Sequence, residues 1–146
     1  MLGVYVHIPF CARKCGYCDF HSVVAAPAAI ERYLEALSGE IGYWARQIGG
    51  AACATLYVGG GTPTILSANQ LEQLFTKLLT AFNFEPGFEF TVEANPGTLS
   101  SDKAKVLAEA GVNDESDLFH GFSGHGGKVF HEALYDGFAS DGQQGL

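Results

Sequence analysis

The sequence alternates three times between a short run of strand-forming residues and a longer segment with helical spacing of its apolar residues. Val4, Val6 and Ile8 lie in a β-branched run, and residues 54–60 (ATLYVGG) and 88–94 (FEFTVEA) form two further runs. A strand–helix order repeated in this way implies crossover connections and a parallel sheet. The sequence therefore predicts an α/β fold in the form of a (βα)3 unit, and 146 residues suffice for one such core.

Three helices are expected between and after these strands. In residues 27–48 the apolar positions are spaced by three and four, as in a helix with one buried face. These positions are Ile30, Tyr33, Leu34, Leu37, Ile41 and Trp44. Ser67 and Gln70 match a capping box that opens the second helix. The third helix is predicted over residues 101–110, with Gly111 in the position of a C-terminal cap.

Polar and glycine-rich segments follow each predicted strand. The segment Cys11–Cys18 comes after the first strand, residues 59–64 (GGGTPT) end and follow the second, and Glu93 and Asn95 end the third. The carboxyl ends of parallel strands lie at the same edge of a sheet, where the ligands of such folds bind. The sequence therefore predicts a single site built from all three segments.

Three of the four cysteines lie within eight residues, as Cys11, Cys15 and Cys18, in the spacing C-x3-C-x2-C. Three thiolates on one short loop can each bind one iron of a cubane cluster and leave its fourth iron open. A zinc site with His7 or His21 as the fourth ligand is the alternative interpretation. We expect no disulfide here, because clustered cysteines without a secretory signal indicate a reducing, cytoplasmic compartment.

The remaining cysteine, Cys53, stands apart from this cluster and is expected to be a small core residue. The formal net charge of −8 would repel nucleic-acid phosphates, so a nucleic-acid partner is not expected. No apolar stretch approaches the length of about 18 residues that a membrane span requires. The composition, 47% hydrophobic and 16% charged, thus favours a folded globular protein with buried strands.

The alternation stops at residue 114. Residues 114–146 carry seven glycines and no sustained periodicity, and charged residues replace the fourth strand that the pattern would place near Val112. We therefore expect residues 1–113 to form the folded unit and residues 114–146 to be an irregular tail. The histidines of the tail, at spacings of five and six, do not share a helical face and are not expected to bind metal. They are His120, His125 and His131.

Three motifs of the sequence resemble those of a known family. The segment YVHIPFCARKCGYCDFHS resembles the start of radical S-adenosylmethionine (SAM) enzymes, and more narrowly of the oxygen-independent coproporphyrinogen III oxidase-like group. The segments LYVGGGTPT and TVEANPGT resemble two further motifs of that group and follow in the same order. The resemblance extends over residues 2–113. It implies that the predicted (βα)3 unit is the N-terminal part of a partial (βα)6-type barrel.

This resemblance implies a [4Fe–4S] cluster held by Cys11, Cys15 and Cys18, with SAM chelating the open iron. An electron donor would reduce the cluster, and one electron from it would cleave SAM to methionine and a 5′-deoxyadenosyl radical. The family positions around SAM correspond here to Tyr5, Tyr17, Gly59, Gly60, Gly61, Thr62 and Glu93. From the residues alone, Tyr5 could also be an ordinary strand residue and Glu93 a solvated acid. No catalytic residue is identified.

The group divides into coproporphyrinogen dehydrogenases, which carry a fourth cysteine two residues after the third, and HemW-type heme chaperones, which do not. Phe20 occupies that position here, so the resemblance favours a HemW-type protein whose partner is heme, with a porphyrinogen-oxidising enzyme as the alternative. A simple iron–sulfur electron carrier is a more distant alternative.

The family continues beyond residue 113 with further βα units, whereas this sequence departs abruptly from that pattern. A frameshifted or truncated reading frame would explain the departure, so a non-functional fragment is a further hypothesis. Half of a barrel has an unpaired sheet edge and an incomplete cofactor pocket, and we expect such a chain to be weakly stable and to have little activity.

Overall fold

A computed structural model describes residues 2–14, 16, 18, 19 and 21–117 of the chain, with residues 114–117 described by their backbone alone. In chain order the elements are β1 (Leu2–Ile8), β2 (Phe10–Cys11), β3 (Val23–Val24), α1 (Pro27–Gln47), β4 (Ala52–Gly60), a 3-10 turn (Pro63–Ile65), α2 (Ala68–Ala81), β5 (Asn83–Ala94), α3 (Ser101–Ala110) and β6 (Asp114–Asp117). The main sheet has the order β1-β4-β5-β6, and all its neighbouring strands are parallel. The predicted α/β class with a parallel sheet is confirmed.

The two faces of the sheet differ because successive side chains of a strand point to opposite sides. One face packs against the helices and supplies the buried strand residues Val6, Ile8, Leu56, Val58, Phe90 and Val92. Phe75 of α2 contacts Phe90 edge to face, with ring centroids 5.3 Å apart. The other face carries Tyr5, His7 and Tyr57, which are exposed or half-buried. This second face is therefore available for a ligand.

The helices begin and end where local signals predict. Ser67 and Gln70 form the complete capping box at the start of α2, with each side chain bonded to the other's backbone N–H. Gly111 adopts the left-handed conformation, φ 86°, at the end of α3. Helix α1 buries Ile30, Leu37 and Ile41. Trp44, predicted to lie on the buried face of α1, is instead 51% exposed.

The backbone of Asp114–Asp117 forms strand β6, so the expectation that no fourth strand follows α3 was wrong for these four residues. Asn113 explains how a polar sequence can join the sheet. Its side-chain amide donates to the carbonyl of Phe88 at 2.9 Å, and its Oδ1 accepts from the N–H of Phe90 at 2.8 Å. Pairing at a sheet edge uses backbone groups, which every residue except proline offers in full. The prediction for residues 118–146, including the three histidines, lies outside the described residues.

Between residues 2 and 117, no described helix has both the length and the apolar character needed to span a membrane.

Candidate cluster and cofactor site

The glycine-rich loop after β4 is hydrogen-bonded to the chain that leads into the cysteine segment. The N–H of Gly61 donates to the carbonyl of Ile8 at 2.8 Å, and the N–H of Thr62 donates to the carbonyl of Phe10 at 2.7 Å. These bonds continue the parallel pairing of β1 with β4 beyond the last strand residues. The structure thus brings the first two predicted segments together at the carboxyl edge of the sheet.

The glycines of this loop are required by the packing of the protein itself. A methyl group at Gly60 would lie 2.4 Å from Nδ1 of His7, and one at Gly61 would lie 2.6 Å from the carbonyl oxygen of Phe10. Gly60 also has a positive φ of 112°, which side-chain-bearing residues rarely adopt. The backbone N–H groups of Gly60 and Gly61 are both used within the protein. These N–H groups are therefore not free to contact SAM. The predicted contact of either glycine with SAM would have to come from its carbonyl oxygen, and it stays a prediction.

Glu93 connects the third segment to the same edge. Its Oε1 accepts a hydrogen bond from the hydroxyl of Tyr57 at 2.6 Å, and its Oε2 accepts one from the N–H of Gly60 at 2.9 Å. A methyl group at Gly59 would lie 2.7 Å from the Glu93 carboxyl carbon, so the glycine makes room for the acid. Glu93 is half-buried and held at both oxygens, unlike a freely solvated acid. Each oxygen keeps a further lone pair that a ligand hydroxyl can use.

Tyr5 and His7 of β1 form a hydrogen-bonded chain beside this carboxylate. Nε2 of His7 lies 3.1 Å from the carbonyl oxygen of His21, so this nitrogen carries the proton, and the hydroxyl of Tyr5 donates to Nδ1 at 2.9 Å. Partial burial and the negative charge of Glu93 raise the pKa of Tyr5, which keeps the phenol protonated as a donor. Both ring nitrogens of His7 are engaged, which disfavours the interpretation of His7 as a zinc ligand. The hydroxyl of Tyr33 also donates to the carbonyl of His7.

The described cysteines of the cluster segment are Cys11 and Cys18, both half-buried with reduced thiols. The hydroxyl of Thr62 donates to the sulfur of Cys11 over a distance of 3.6 Å. Among the described side chains no group of three potential metal ligands occurs, but that set lacks Cys15 and so does not test the predicted triad. Cys15 and Tyr17 lie outside the described residues, as does Phe20. Cys53 is buried, as a core residue should be.

A polar cluster behind the glycine-rich loop was not predicted from the sequence. The hydroxyl of Thr64 is 2.6 Å from that of Thr98 and accepts from the N–H of Asn95 at 3.1 Å. The ammonium of Lys103 donates to the carbonyls of Thr64 and Thr98 at 2.7 and 2.8 Å, and its burial lowers its pKa. These hydrogen bonds join the 3-10 turn to the turn after β5. They thereby hold the glycine-rich segment and the segment that follows β5 next to each other.

Tyr57 was also missed, although strand alternation could have identified it. Tyr57 lies two residues before Gly59 and pairs in register with Tyr5, so its side chain shares the ligand-accessible face of the sheet. The rings of Tyr5 and Tyr57 are 5.9 Å apart. The pairing of Tyr57 with Glu93 depends on the register between β4 and β5, which the sequence does not reveal.

The residues present suit a thiolate-bound cluster and a ligand with a diol. The sulfur of Cys11 has a hydroxyl donor aimed at it, which is a favourable environment for a coordinating thiolate. The carboxylate of Glu93 is fixed by two protein donors and can accept from two adjacent hydroxyl groups. The donor set is thus compatible with both cofactors that the sequence motifs imply.

Comparison with known proteins gives consistent matches. Residues 5–117 match the family model of the radical SAM superfamily. The chain is 46% identical over 111 residues to the heme chaperone HemW of Lactococcus lactis, covering 76% of this chain and 28% of that protein. It is 41% identical over 114 residues to the HemW of Bacillus subtilis, covering 77% of this chain and 30% of that protein.

Among solved structures, coproporphyrinogen III oxidase (HemN) from Escherichia coli, described as a radical SAM enzyme, superposes with a TM-score of 0.79 at 30% identity. The match covers 96% of this chain and 34% of that structure. The chain thus spans roughly a third or less of the length of these relatives.

Proposed function

This chain belongs to the radical SAM superfamily, and on that premise we propose that it binds a [4Fe–4S] cluster through Cys11, Cys15 and Cys18, with SAM beside Glu93. The observation that carries the proposal is the convergence of three motifs at one sheet edge. Thr62 contacts the sulfur of Cys11, and Gly60 contacts the carboxylate of Glu93. One loop therefore contacts both a predicted cluster ligand and the predicted SAM-binding carboxylate. Thiolate ligands and an open iron are what cluster-bound SAM requires.

When bound, the cluster supplies one electron for the reductive cleavage of SAM. The chain's own residues position the groups around that step. Glu93, held by Tyr57 and Gly60, is placed to accept hydrogen bonds from a ribose diol. Tyr5 lies on the same face, and its raised pKa keeps its hydroxyl protonated in the hydrogen bond that it donates to Nδ1 of His7. The buried glycine loop keeps Phe10 and Cys11 against the end of the sheet, which would limit the freedom of a bound cluster relative to SAM.

We further propose that the protein binds heme and transfers it to an acceptor, as a HemW-type chaperone. Two curated relatives at 46% and 41% identity are named heme chaperones, and Phe20 occupies the position at which the dehydrogenases carry a further cysteine. Oxidation of a porphyrinogen is the second candidate, favoured by the fold match to coproporphyrinogen III oxidase. Either function belongs to a reducing, cytoplasmic compartment, where an electron donor is available.

Anaerobic reconstitution of the chain with iron and sulfide tests the cluster and SAM sites together. We expect about four irons and four sulfides per chain and a change in the electron paramagnetic resonance spectrum of the reduced cluster when SAM is added. Failure to assemble a cluster would contradict the proposal and favour a non-functional fragment. A cluster whose spectrum does not change when SAM is added would support the alternative of a simple electron carrier.

Heme titration separates the two candidate functions. Heme binding should produce a Soret band that saturates at a fixed stoichiometry, and subsequent transfer of heme to an apoprotein would support the chaperone. Consumption of coproporphyrinogen with formation of 5′-deoxyadenosine would support the oxidase instead. Both assays should also be run on a full-length relative, because this chain spans about 30% of the HemW sequences that it matches.

Replacing Tyr57 with phenylalanine should weaken SAM binding without reducing cluster content. The change removes the 2.6 Å hydrogen bond to Oε1 of Glu93 and leaves the ring in place. A hydrogen bond to a charged group contributes about 1.5–3 kcal/mol, so we expect the affinity for SAM to fall by about tenfold or more. The measurement is a SAM titration followed by the spectrum of the reduced cluster.

Tyr43→Phe is the matched control, because Tyr43 is a half-exposed tyrosine of α1 outside the site. In a Glu93→Ala background, Tyr57→Phe should have no further effect, since Tyr57 acts through that carboxylate. A normal SAM affinity in Tyr57→Phe would show that Gly60 alone suffices to orient Glu93.

A further inference from the structure

Thr62 stands out because its hydroxyl points at a predicted cluster ligand. The residue is 7% exposed, and its Oγ1 lies 3.6 Å from the sulfur of Cys11. The distance suits an O–H···S hydrogen bond, which is longer than a bond between oxygens because sulfur is larger. The backbone fixes this geometry, since the N–H of Thr62 donates to the carbonyl of Phe10, the residue before Cys11, at 2.7 Å.

The family resemblance predicts a different role for Thr62, as one of the residues around SAM. In the structure the hydroxyl is paired with the cysteine sulfur instead. A hydroxyl has one proton, so donation to this sulfur precludes simultaneous donation to a SAM carboxylate. The two roles make different predictions for a cluster that has no SAM bound, and they can therefore be separated.

A hydrogen bond to a coordinating thiolate acts on the redox state of a cluster. One-electron reduction places additional negative charge on the iron and its sulfur ligands, and a donor stabilises that charge. The effect is stronger in a buried environment, where water does not compete for the sulfur. A buried hydroxyl donor at one of three thiolates is therefore expected to favour the reduced cluster.

We propose that Thr62 is a residue that tunes the cluster, raising the reduction potential of the [4Fe–4S] centre through its hydrogen bond to Cys11. The step is the transfer of one electron from an external low-potential reductant to the oxidised cluster, with no atom transferred. The inference rests on the proposed function, because it requires that Cys11 be a cluster ligand.

The test compares three variants of the reconstituted full chain without SAM. Thr62→Val removes the hydroxyl and preserves the branched shape, whereas Thr62→Ser keeps the hydroxyl. Thr91→Val is the matched control, since Thr91 is also buried, lies in β5 and donates to Glu89 at 3.3 Å. Each protein is titrated anaerobically with dithionite and mediator dyes, and the reduced cluster is followed by electron paramagnetic resonance.

We expect the midpoint potential of Thr62→Val to shift to more negative values, while Thr62→Ser and Thr91→Val stay near the unmodified protein. At a fixed solution potential, the ratio of reduced to oxidised cluster in Thr62→Val should fall by about fivefold, as the loss of one net hydrogen bond predicts. Iron and sulfide content should be unchanged in all three variants, which separates tuning from a structural defect.

An unchanged potential in Thr62→Val with a full cluster would overturn the inference and leave the proposed function intact. An unchanged potential combined with a lower affinity for SAM would assign Thr62 to the SAM site instead. Loss of the cluster in Thr62→Val but not in Thr62→Ser would make the hydroxyl a requirement for assembly, and would overturn the tuning role. Absence of a cluster in the unmodified chain would contradict the proposed function itself.

Discussion

Replacing any one of Cys11, Cys15 and Cys18 with alanine is expected to abolish stable cluster binding, and with it every response to SAM. A site with three thiolates has no spare ligand, and an iron that loses its thiolate is exposed to water and to chelators. We expect the iron content after reconstitution to fall to that of protein treated without sulfide. The measurement is iron and sulfide analysis together with the visible absorption of the cluster.

Cys53→Ala is the matched control, because Cys53 is 1% exposed and lies in β4. It should retain a full cluster and lose only a small amount of stability, as removal of one buried sulfur atom predicts. A cluster that survives alanine at Cys15 but not at Cys11 or Cys18 would contradict a three-cysteine site. Zinc in place of iron, with the affinity dependent on His21, would support the alternative of a structural zinc site.

Replacing Gly61 with alanine should destabilise the fold and the site together. The added methyl group would lie 2.6 Å from the carbonyl oxygen of Phe10 and 2.9 Å from that of Ile8. Neither carbonyl can move freely, because the first accepts from Thr62 and the second from Gly61 itself. We expect a loss of about 1–3 kcal/mol, the usual cost of forcing a group into a packed site, and a sharp fall in cluster loading.

Gly39→Ala should instead increase the free energy of unfolding. Gly39 lies within α1, where an added methyl group would meet no atom within 4 Å. Alanine in a helix interior is more stable than glycine by about 1 kcal/mol, and the site is not affected. Urea unfolding of both variants gives the comparison. A Gly61→Ala protein as stable as Gly39→Ala would mean that the glycine loop can move away from the cysteine segment.

The sequence was sufficient for the order of the three long strands and the three helices, and for the edge at which its motifs meet. Two features carried that information locally. The apolar spacing distinguished strands from helices, and the capping residues Ser67 and Gly111 marked the start of α2 and the end of α3. The position of each motif after a strand then implied their convergence, since parallel strands share their carboxyl edge.

Strand β6 could not be predicted from local sequence patterns. Its four residues have no apolar alternation, and they pair with β5 through backbone groups that any sequence supplies. The side chain of Asn113 helps by bonding the backbone of β5 on both sides of Glu89. Such a contact joins residues more than twenty positions apart and has no signature in the local pattern.

The sequence by itself determined which residue types are present for chemistry and near which strand end each one lies. Only the tertiary structure decided their partners, because partners depend on strand register and loop approach. It paired Glu93 with Tyr57 and Gly60, and directed the hydroxyl of Thr62 to the sulfur of Cys11. The same packing explains why the loop is glycine-rich, since three protein segments occupy the space that side chains at these positions would need.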